Sequence, residues 1–262
     1  MLEIQDLHIR FHKAREGKEA VSGISLSMEE GDILGLVGES GSGKTVTAMA
    51  ISGLMQRSES ECTGRICFEG VDLLSCDREA LRRLQGSKIG VVFQEPMSSM
   101  NPVMRIGKQM EEPLRIHTTM TAKERRDRVL YVMEAVELPE PESVYQKYPH
   151  ELSGGMLQRV MIGAALTTRP KLLLCDEPTT ALDVTIQAQI LQLLLRVNRE
   201  FGIGILFISH DLHVVQKICS RVAVMHQGKL VEEGSAAEIF QNPRADYTKK
   251  LIRAIPTRRK RG

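Results

Sequence analysis

Apolar residues recur at Leu2, Ile4, Leu7 and Ile9, and again at Val21, Ile24, Leu26 and Met28, with polar residues between them. This alternation predicts half-buried strands over residues 2–10 and 21–28. Ile33-Leu34-Gly35-Leu36-Val37 is a continuous apolar run of strand length that ends in glycines and precedes a helix-like stretch over 46–55. Further β signals at 64–68 and 89–93 lead into a middle section with a charged, helical pattern. Within it, Thr121-Ala122-Lys123-Glu124 has the capping-box spacing that opens a helix running toward Leu138. The second half alternates more regularly. A helix over 155–166, a buried strand over 172–175 and a helix over 184–199 are followed by a strand over 203–208 and a helix over 212–219, and a hairpin turning at Gln227-Gly228 completes it. The helix over 184–199 has Asp183 as N-cap, Gly202 as stop, and Ile186, Ile190, Leu194 and Val197 on one face.

Strands alternating with helices predict an α/β fold around a mostly parallel sheet. The first strands form a small β region, and the helical residues 95–165 interrupt the alternation as a subdomain inserted into the core. The catalytic core is then expected over 1–94 and 166–240, with 241–262 as a C-terminal tail. The 262 residues suit one large domain or two small ones, and a single domain is expected. The apolar and charged fractions, 42% and 26%, set disorder and fibrous architectures aside. A net charge of +2 cannot hold a polyanion by bulk attraction, so any phosphate recognition must be local. No apolar run approaches the length that spans a bilayer, and the N-terminus has no secretory pattern, so a cytosolic chain is expected. Cys62, Cys67, Cys76, Cys175 and Cys219 form no Cys-x-x-Cys pair and read as reduced packing residues.

Gly38-Glu39-Ser40-Gly41-Ser42-Gly43-Lys44-Thr45 fits a phosphate loop and lies between a buried strand and a helix start, where the physics requires it. Glycines let successive backbone N–H groups turn toward a polyphosphate, and the helix dipole favours its charge. Lys44 reaches the β- and γ-phosphates, and the Thr45 hydroxyl ligates Mg²⁺. Leu172-Leu173-Leu174-Cys175-Asp176-Glu177 is an apolar strand ending in two carboxylates, where α/β folds bind their ligands. Asp176 is the candidate magnesium ligand and Glu177 the candidate base for the attacking water. Ser153-Gly154-Gly155 opens a helix. Ser153 reads either as a simple N-cap or, with the glycines, as part of a second anion-binding helix end. His210 and Gln94 each follow a strand. His210 reads as a buried structural histidine or as a γ-phosphate sensor, and Gln94 has an amide that could touch metal or water. Arg258-Arg259-Lys260-Arg261 reads as a solvated end or a contact for anionic lipid.

The order of phosphate loop, Gln94, Leu152-Ser153-Gly154-Gly155-Met156-Leu157-Gln158, Asp176-Glu177, Leu182-Asp183 and His210 resembles the nucleotide-binding subunits of ABC transporters along nearly the whole chain. The resemblance implies a P-loop ATPase core with an N-terminal antiparallel β region and an inserted α-helical subdomain that carries the signature motif. It implies Ser40, Gly41, Ser42, Gly43, Lys44 and Thr45 as the phosphate cradle after Gly38, with Gln94 as the link between the site and the membrane subunit. It further implies Glu177 as general base, His210 as switch histidine and Asp183 at a dimer interface. Phe11 falls where the family stacks an aromatic side chain on adenine, with His12 as its competitor. Ser153, Gly154 and Gly155 would face ATP held by Lys44 of a second such subunit. Thr45, Gln94 and Asp176 are then the magnesium set.

Gln94-Glu95-Pro96-Met97-Ser98-Ser99-Met100-Asn101-Pro102, Tyr148-Pro149-His150-Glu151 and Tyr247-Thr248-Lys249-Lys250-Leu251 are similar to segments of the importers for dipeptides, oligopeptides and nickel. Met156 and Leu157 depart from the wider family's glutamines but suit this group. Many longer peptide-type relatives carry a cysteine-rich C-terminal segment, whereas no cysteine follows Cys219 here, which leans slightly toward the shorter, nickel-type members, with short dipeptide-type members as the alternative. What the resemblance implies is an ATPase using ATP and Mg²⁺ at the cytoplasmic face of the membrane. Its expected partners are a second ATPase subunit, itself or a relative, two integral permeases and, indirectly, an extracytoplasmic binding protein. The competing classes are an ABC ATPase acting on nucleic acid or the ribosome, and a phosphate-loop kinase or GTPase. The first would need a long inserted coil, paired cassettes or basic patches interleaved with aromatics, but aromatics are 4% of residues. The second would need an Asn-Lys-x-Asp motif and would leave residues 152–155 unexplained.

Overall fold

In the computed structural model, residues 1–12, 19–56, 58–180 and 182–254 are described; the basic run Arg258 to Arg261 lies outside them. The first elements are β1 (Leu2–Phe11), β2 (Val21–Met28), β3 (Ile33–Val37), α1 (Lys44–Ile51), β4 (Ser60–Phe68) and β5 (Val71–Asp72). There follow α2 (Arg78–Leu84), β6 (Ile89–Val92), α3 (Pro96–Ser99), α4 (Ile106–His117), α5 (Ala122–Ala135), α6 (Pro141–Gln146), α7 (Gly154–Leu166), β7 (Leu172–Asp176) and α8 (Val184–Phe201). The last are β8 (Gly204–Ser209), α9 (Leu212–Ile218), β9 (Arg221–His226), β10 (Lys229–Ser235), α10 (Ala236–Gln241) and α11 (Asp246–Arg253). The contacts divide the chain into two compact units, Met1–Ser75 with Leu206–Gly262, and Cys76–Ile205.

The first unit holds an antiparallel sheet in the order β2-β1-β4-β5. Its pattern contains an irregularity with a physical reason. The three-residue step from Ile4 to Leu7 would turn Leu7 to the opposite face of a regular strand. A bulge at Asp6, with φ 46, shifts the pairing of β1 with both neighbours and returns Leu7 to the buried side. Leu2, Ile4, Leu7 and Ile9 are consequently all buried. A second group of strands runs β10-β9-β3-β8, with β3 parallel to β9 in the register Leu34↔Arg221 to Val37↔Val224. The β9–β10 hairpin turns on Gln227 and Gly228, both left-handed (φ 48 and 81), as the sequence predicts. Every residue of β3 is buried, which explains its uninterrupted apolar run.

The second unit contains the parallel pair β6 and β7, in the register Ile89↔Leu172 to Val92↔Cys175. It also contains a helical cluster in which Ile106, Met110 and Leu114 of α4, Val129, Val132 and Met133 of α5, and Leu157, Val160 and Met161 of α7 are buried. The capping box of α5 is formed. The Thr121 hydroxyl accepts the Glu124 N–H at 3.3 Å, and the Glu124 carboxylate accepts the Thr121 N–H at 2.7 Å. Replacing Thr121 with Ala is therefore expected to cost about 1 kcal/mol, read as a lower urea midpoint at unchanged slope. The helix over Val184–Phe201 begins on Asp183, whose carboxylate accepts the N–H groups of Thr185 and Ile186, and ends at left-handed Gly202.

Most boundaries fall within two residues of the sequence expectation, and three segments differ by more. The helix expected over 46–55 starts at Lys44, because Gly43 already accepts the N–H of Thr47, and it ends at Ile51, where Leu54 N–H bonds back to Met49 O. The strand expected from Gly64 begins at Ser60, since its polar residues pair with β1 along an exposed face. Within the expected C-terminal tail, residues 246–253 are helical, with Tyr247, Thr248, Leu251 and Ile252 on the less exposed face; at two turns the stretch is too short for its apolar spacing to stand out in the sequence.

Candidate functional site

In the first unit, β3 delivers the chain from a fully buried strand into the loop Gly38–Lys44. Two of its glycines are required by geometry. A Cβ on Gly38 (φ +152) would lie 2.2 Å from Met225 O, and one on Gly43 (φ +104) would lie 2.6 Å from Ala20 O. The loop is braced from below by the β9–β10 turn, where Gly228 N–H donates to Ser42 O at 3.1 Å and Ser22 N–H donates to Gly228 O at 2.7 Å. Glu39, Ser40 and Gly41 face solvent, while Ser42, Gly43 and Lys44 are buried. Lys44 is only 5% exposed, and its Nζ donates to Gly38 O and Glu39 O at 2.8 Å each and toward Ser42 Oγ at 3.4 Å. The ammonium is thus held inside its own loop by backbone dipoles, at the start of a helix whose first turn carries Thr45 on the surface. A polyphosphate arriving at the exposed glycine arc meets turned N–H groups, a helix N-terminus and a desolvated cation.

Two other expected residues sit at strand ends of this unit. Phe11 ends β1 half-buried, and His12 follows it in an exposed turn, where its N–H donates to Glu59 O. His210 follows β8 and is exposed, which removes its reading as a buried structural histidine. The next residue, Asp211, caps α9 by accepting the N–H groups of His213 and Val214.

In the second unit, the register of the parallel pair assembles a site that neither strand shows alone. Val92 lies opposite Cys175, so the residues two steps beyond, Gln94 and Glu177, leave the sheet side by side. Gln94 Nε2 donates to Glu177 Oε2 at 3.3 Å, and Thr180 Oγ1 donates to the same oxygen at 2.9 Å. Glu177 adopts a left-handed backbone (φ 47), an uncommon state for a residue with a Cβ, immediately after Asp176 closes β7. Thr180 was not among the residues expected to matter; its place follows from the tight turn after Glu177 and has no separate signal in the sequence.

Ser153 accepts the Met156 N–H at 3.4 Å and opens α7, with Ser153 and Gly154 exposed and open space around Gly154. A Cβ on Gly155 would come within 2.8 Å of Ile186, so the start of α7 lies against the first turn of α8, which Asp183 caps. Farther along, Arg196 of α8 and Arg159 of α7 both donate to Glu137, and these hydrogen bonds, Arg196's first, hold its carboxyl below the usual range. The glycine-rich helix end therefore lies against α8 with Ser153 and Gly154 exposed to solvent.

Among the described residues, no group of three His, Cys, Asp or Glu side chains could hold a metal ion by itself, and no helix is long and apolar enough to cross a membrane. The Thr45 hydroxyl, the Gln94 amide and the Asp176 carboxylate are all hard oxygen donors of the kind Mg²⁺ takes. It binds through one or two protein groups together with substrate phosphates rather than in an all-protein cage, so Thr45 in the first unit, and Gln94 and Asp176 in the second, each suit it by their chemistry.

Comparison with known proteins follows the same lines. A family model described as "ABC transporter" matches residues 21–180. The chain is 44% identical to the dipeptide transport ATP-binding protein DppD of Haemophilus influenzae over 256 residues, 98% of this chain and 78% of that protein. It is 41% identical to the oligopeptide transport ATP-binding protein OppD of Lactococcus lactis subsp. cremoris, over 98% of this chain and 76% of that protein. Among solved structures, the ATP-binding cassette MJ0796, seen as a dimer in a post-hydrolysis state bound to ADP and Pi, superposes with a TM-score of 0.79 at 29% identity, covering 90% of this chain and 99% of that one.

Proposed function

The chain belongs to the ABC transporter family, in which it is an ATP-binding, ATP-hydrolysing importer subunit, and from that premise we propose that it energises the uptake of short peptides. Importer ATPase subunits work with membrane permeases and are peripheral to the membrane; here two permeases and the cytoplasmic face are proposed. The observation that carries the reading is the phosphate loop: a lysine ammonium gathered by backbone carbonyls, between a buried strand and a helix N-terminus. The relatives named for dipeptide and oligopeptide transport favour a peptide cargo over nickel.

Each residue then has a chemical task. The loop amides from Ser40 to Thr45 and the Lys44 ammonium bind the β- and γ-phosphates, Gly38 gives the loop its turn, and Phe11 or His12 stacks on the base. Glu177 takes a proton from the attacking water, with Gln94 and Thr180 orienting its carboxylate, and His210 senses the γ-phosphate. Thr45, Asp176 and Gln94 are the residues that would hold Mg²⁺, which when bound neutralises phosphate charge. Ser153, Gly154, Gly155 and Asp183 serve the nucleotide of a second ATPase subunit, a copy or a relative, since a glycine-rich helix end aimed at solvent is built for an anion from outside. Residues 95–165 form the helical subdomain that meets the permeases through the segment after Gln94, residues 1–94 and 166–240 the catalytic core, and 241–262 the tail.

The test is co-expression with two candidate permeases and reconstitution with the extracytoplasmic binding protein. ATP hydrolysis by the purified assembly is expected to rise when the binding protein carries a di- or oligopeptide. Stimulation by nickel alone would change the cargo, and recovery with nucleic acid in place of permeases would overturn the importer.

A further inference from the structure

The C-terminal helix α11 reaches the phosphate loop. Glu232 on β10 accepts the backbone N–H of Arg244 at 2.7 Å and of Ala245 at 3.0 Å, so a carboxylate from the sheet anchors the two residues that lead into the helix. Tyr247, in the first turn, lays its ring against His226, the last residue of β9, with centroids 3.9 Å apart. Its hydroxyl accepts the backbone N–H of Glu39 at 3.2 Å. The carbonyl of the same Glu39 accepts Lys44 Nζ at 2.8 Å and Ser42 N–H at 3.2 Å. Glu39 is the first exposed residue of the loop, and both of its peptide groups are therefore held: one by the loop's lysine, the other by a residue over two hundred positions away in sequence.

We propose that Tyr247 is a positioning residue for nucleotide binding, pinning the entry of the phosphate loop in the arrangement that receives a polyphosphate. The inference rests on the reading of residues 38–45 as that loop. A glycine-rich arc loses much conformational freedom when it closes on a ligand, and fixing one end beforehand lowers that cost. The sheet carboxylate Glu232 sets the start of α11, and the helix sets the tyrosine. The strap acts on affinity, because its contacts are with the backbone of the loop and not with groups that change during hydrolysis.

Tyr247→Phe keeps the ring over His226 and removes only the hydroxyl. In the full chain, the equilibrium Kd for Mg-ATP and for ADP is expected to rise about two- to tenfold, the worth of one hydrogen bond. In the assembled transporter KM for ATP should rise with it, kcat should change less, and the melting temperature should stay where it was. Glu232→Gln, which weakens the anchor of the residues leading into α11, should move Kd in the same direction and combine with Tyr247→Phe less than additively in free energy. Wild-type affinity in Tyr247→Phe, while Lys44→Ala loses nucleotide, overturns the proposal. So does a lower melting temperature with unchanged Kd, which assigns the residue to packing. Undiminished ATP binding by Lys44→Ala would instead overturn the loop reading on which it stands.

Discussion

Lys44→Ala is expected to lose ATP binding by about a hundredfold or more and to hydrolyse ATP no faster than background, with the fold intact. A charge-assisted hydrogen bond to phosphate is worth roughly 1.5–3 kcal/mol, and the lysine makes more than one such contact when it swaps its carbonyl partners for phosphate oxygens. In the loop the ammonium donates to Gly38 O and Glu39 O at 2.8 Å, so it is already desolvated and already placed. Exchanging carbonyl dipoles for an anion needs little reorganisation, which is what makes the residue effective. Its removal leaves Glu39 O able to bond water but takes the ammonium from the buried Gly38 O, so the melting temperature should fall by several degrees without loss of the fold. Lys44→Arg should not rescue binding, because the planar guanidinium does not fit a pocket made for a compact point charge. Isothermal titration of Mg-ATP into the wild-type chain and both variants reads all three expectations; an Ala variant with wild-type affinity would remove Lys44 from the site.

Why the phosphate loop was legible and the tyrosine beside it was not comes down to the range over which each is specified. The loop's chemistry is local: glycines where a Cβ would strike Met225 O or Ala20 O, then a lysine and a threonine on a helix start. The ends of α8 are local in the same way, since Asp183 and Gly202 each act within three residues of themselves. The pairing of Gln94 with Glu177 is intermediate. Each residue stands out as following an apolar strand, but their adjacency depends on Val92 facing Cys175, a register that no single strand encodes. Tyr247 depends on the hairpin and on the hold of Glu232 on the residues leading into α11; the spacing of Tyr247, Leu251 and Ile252 suggests a helix face, but nothing local says that this face meets the loop at Glu39. The bulge at Asp6 shows the converse: the skipped step from Ile4 to Leu7 was visible in the pattern, and the structure supplies its cause.

Glu177→Gln is expected to bind ATP as tightly as the wild type while turning over about 10²–10⁴ times more slowly in the assembled transporter, the usual worth of a general base. The substitution separates chemistry from architecture because the glutamine carbonyl can still accept from Gln94 Nε2 and Thr180 Oγ1, the two donors that meet Glu177 Oε2 at 3.3 and 2.9 Å. The turn at φ 47 and the geometry around it should survive, and only the capacity to take a proton from water is lost. Glu177→Ala differs in a second respect, since it also removes the acceptor that Gln94 and Thr180 share; both donors are exposed and can turn to water, so turnover should be abolished at little cost in stability. Gln94→Ala keeps the carboxylate and one of its two orienting donors, so its loss of kcat should be smaller than that of Glu177→Gln and should not be additive with it. Single-turnover hydrolysis with prebound ATP distinguishes these cases, because binding is complete before the clock starts. If Glu177→Gln hydrolyses its bound ATP at the wild-type rate, the proton goes elsewhere, and the register of β6 against β7 positions a structural hydrogen bond and no catalytic base.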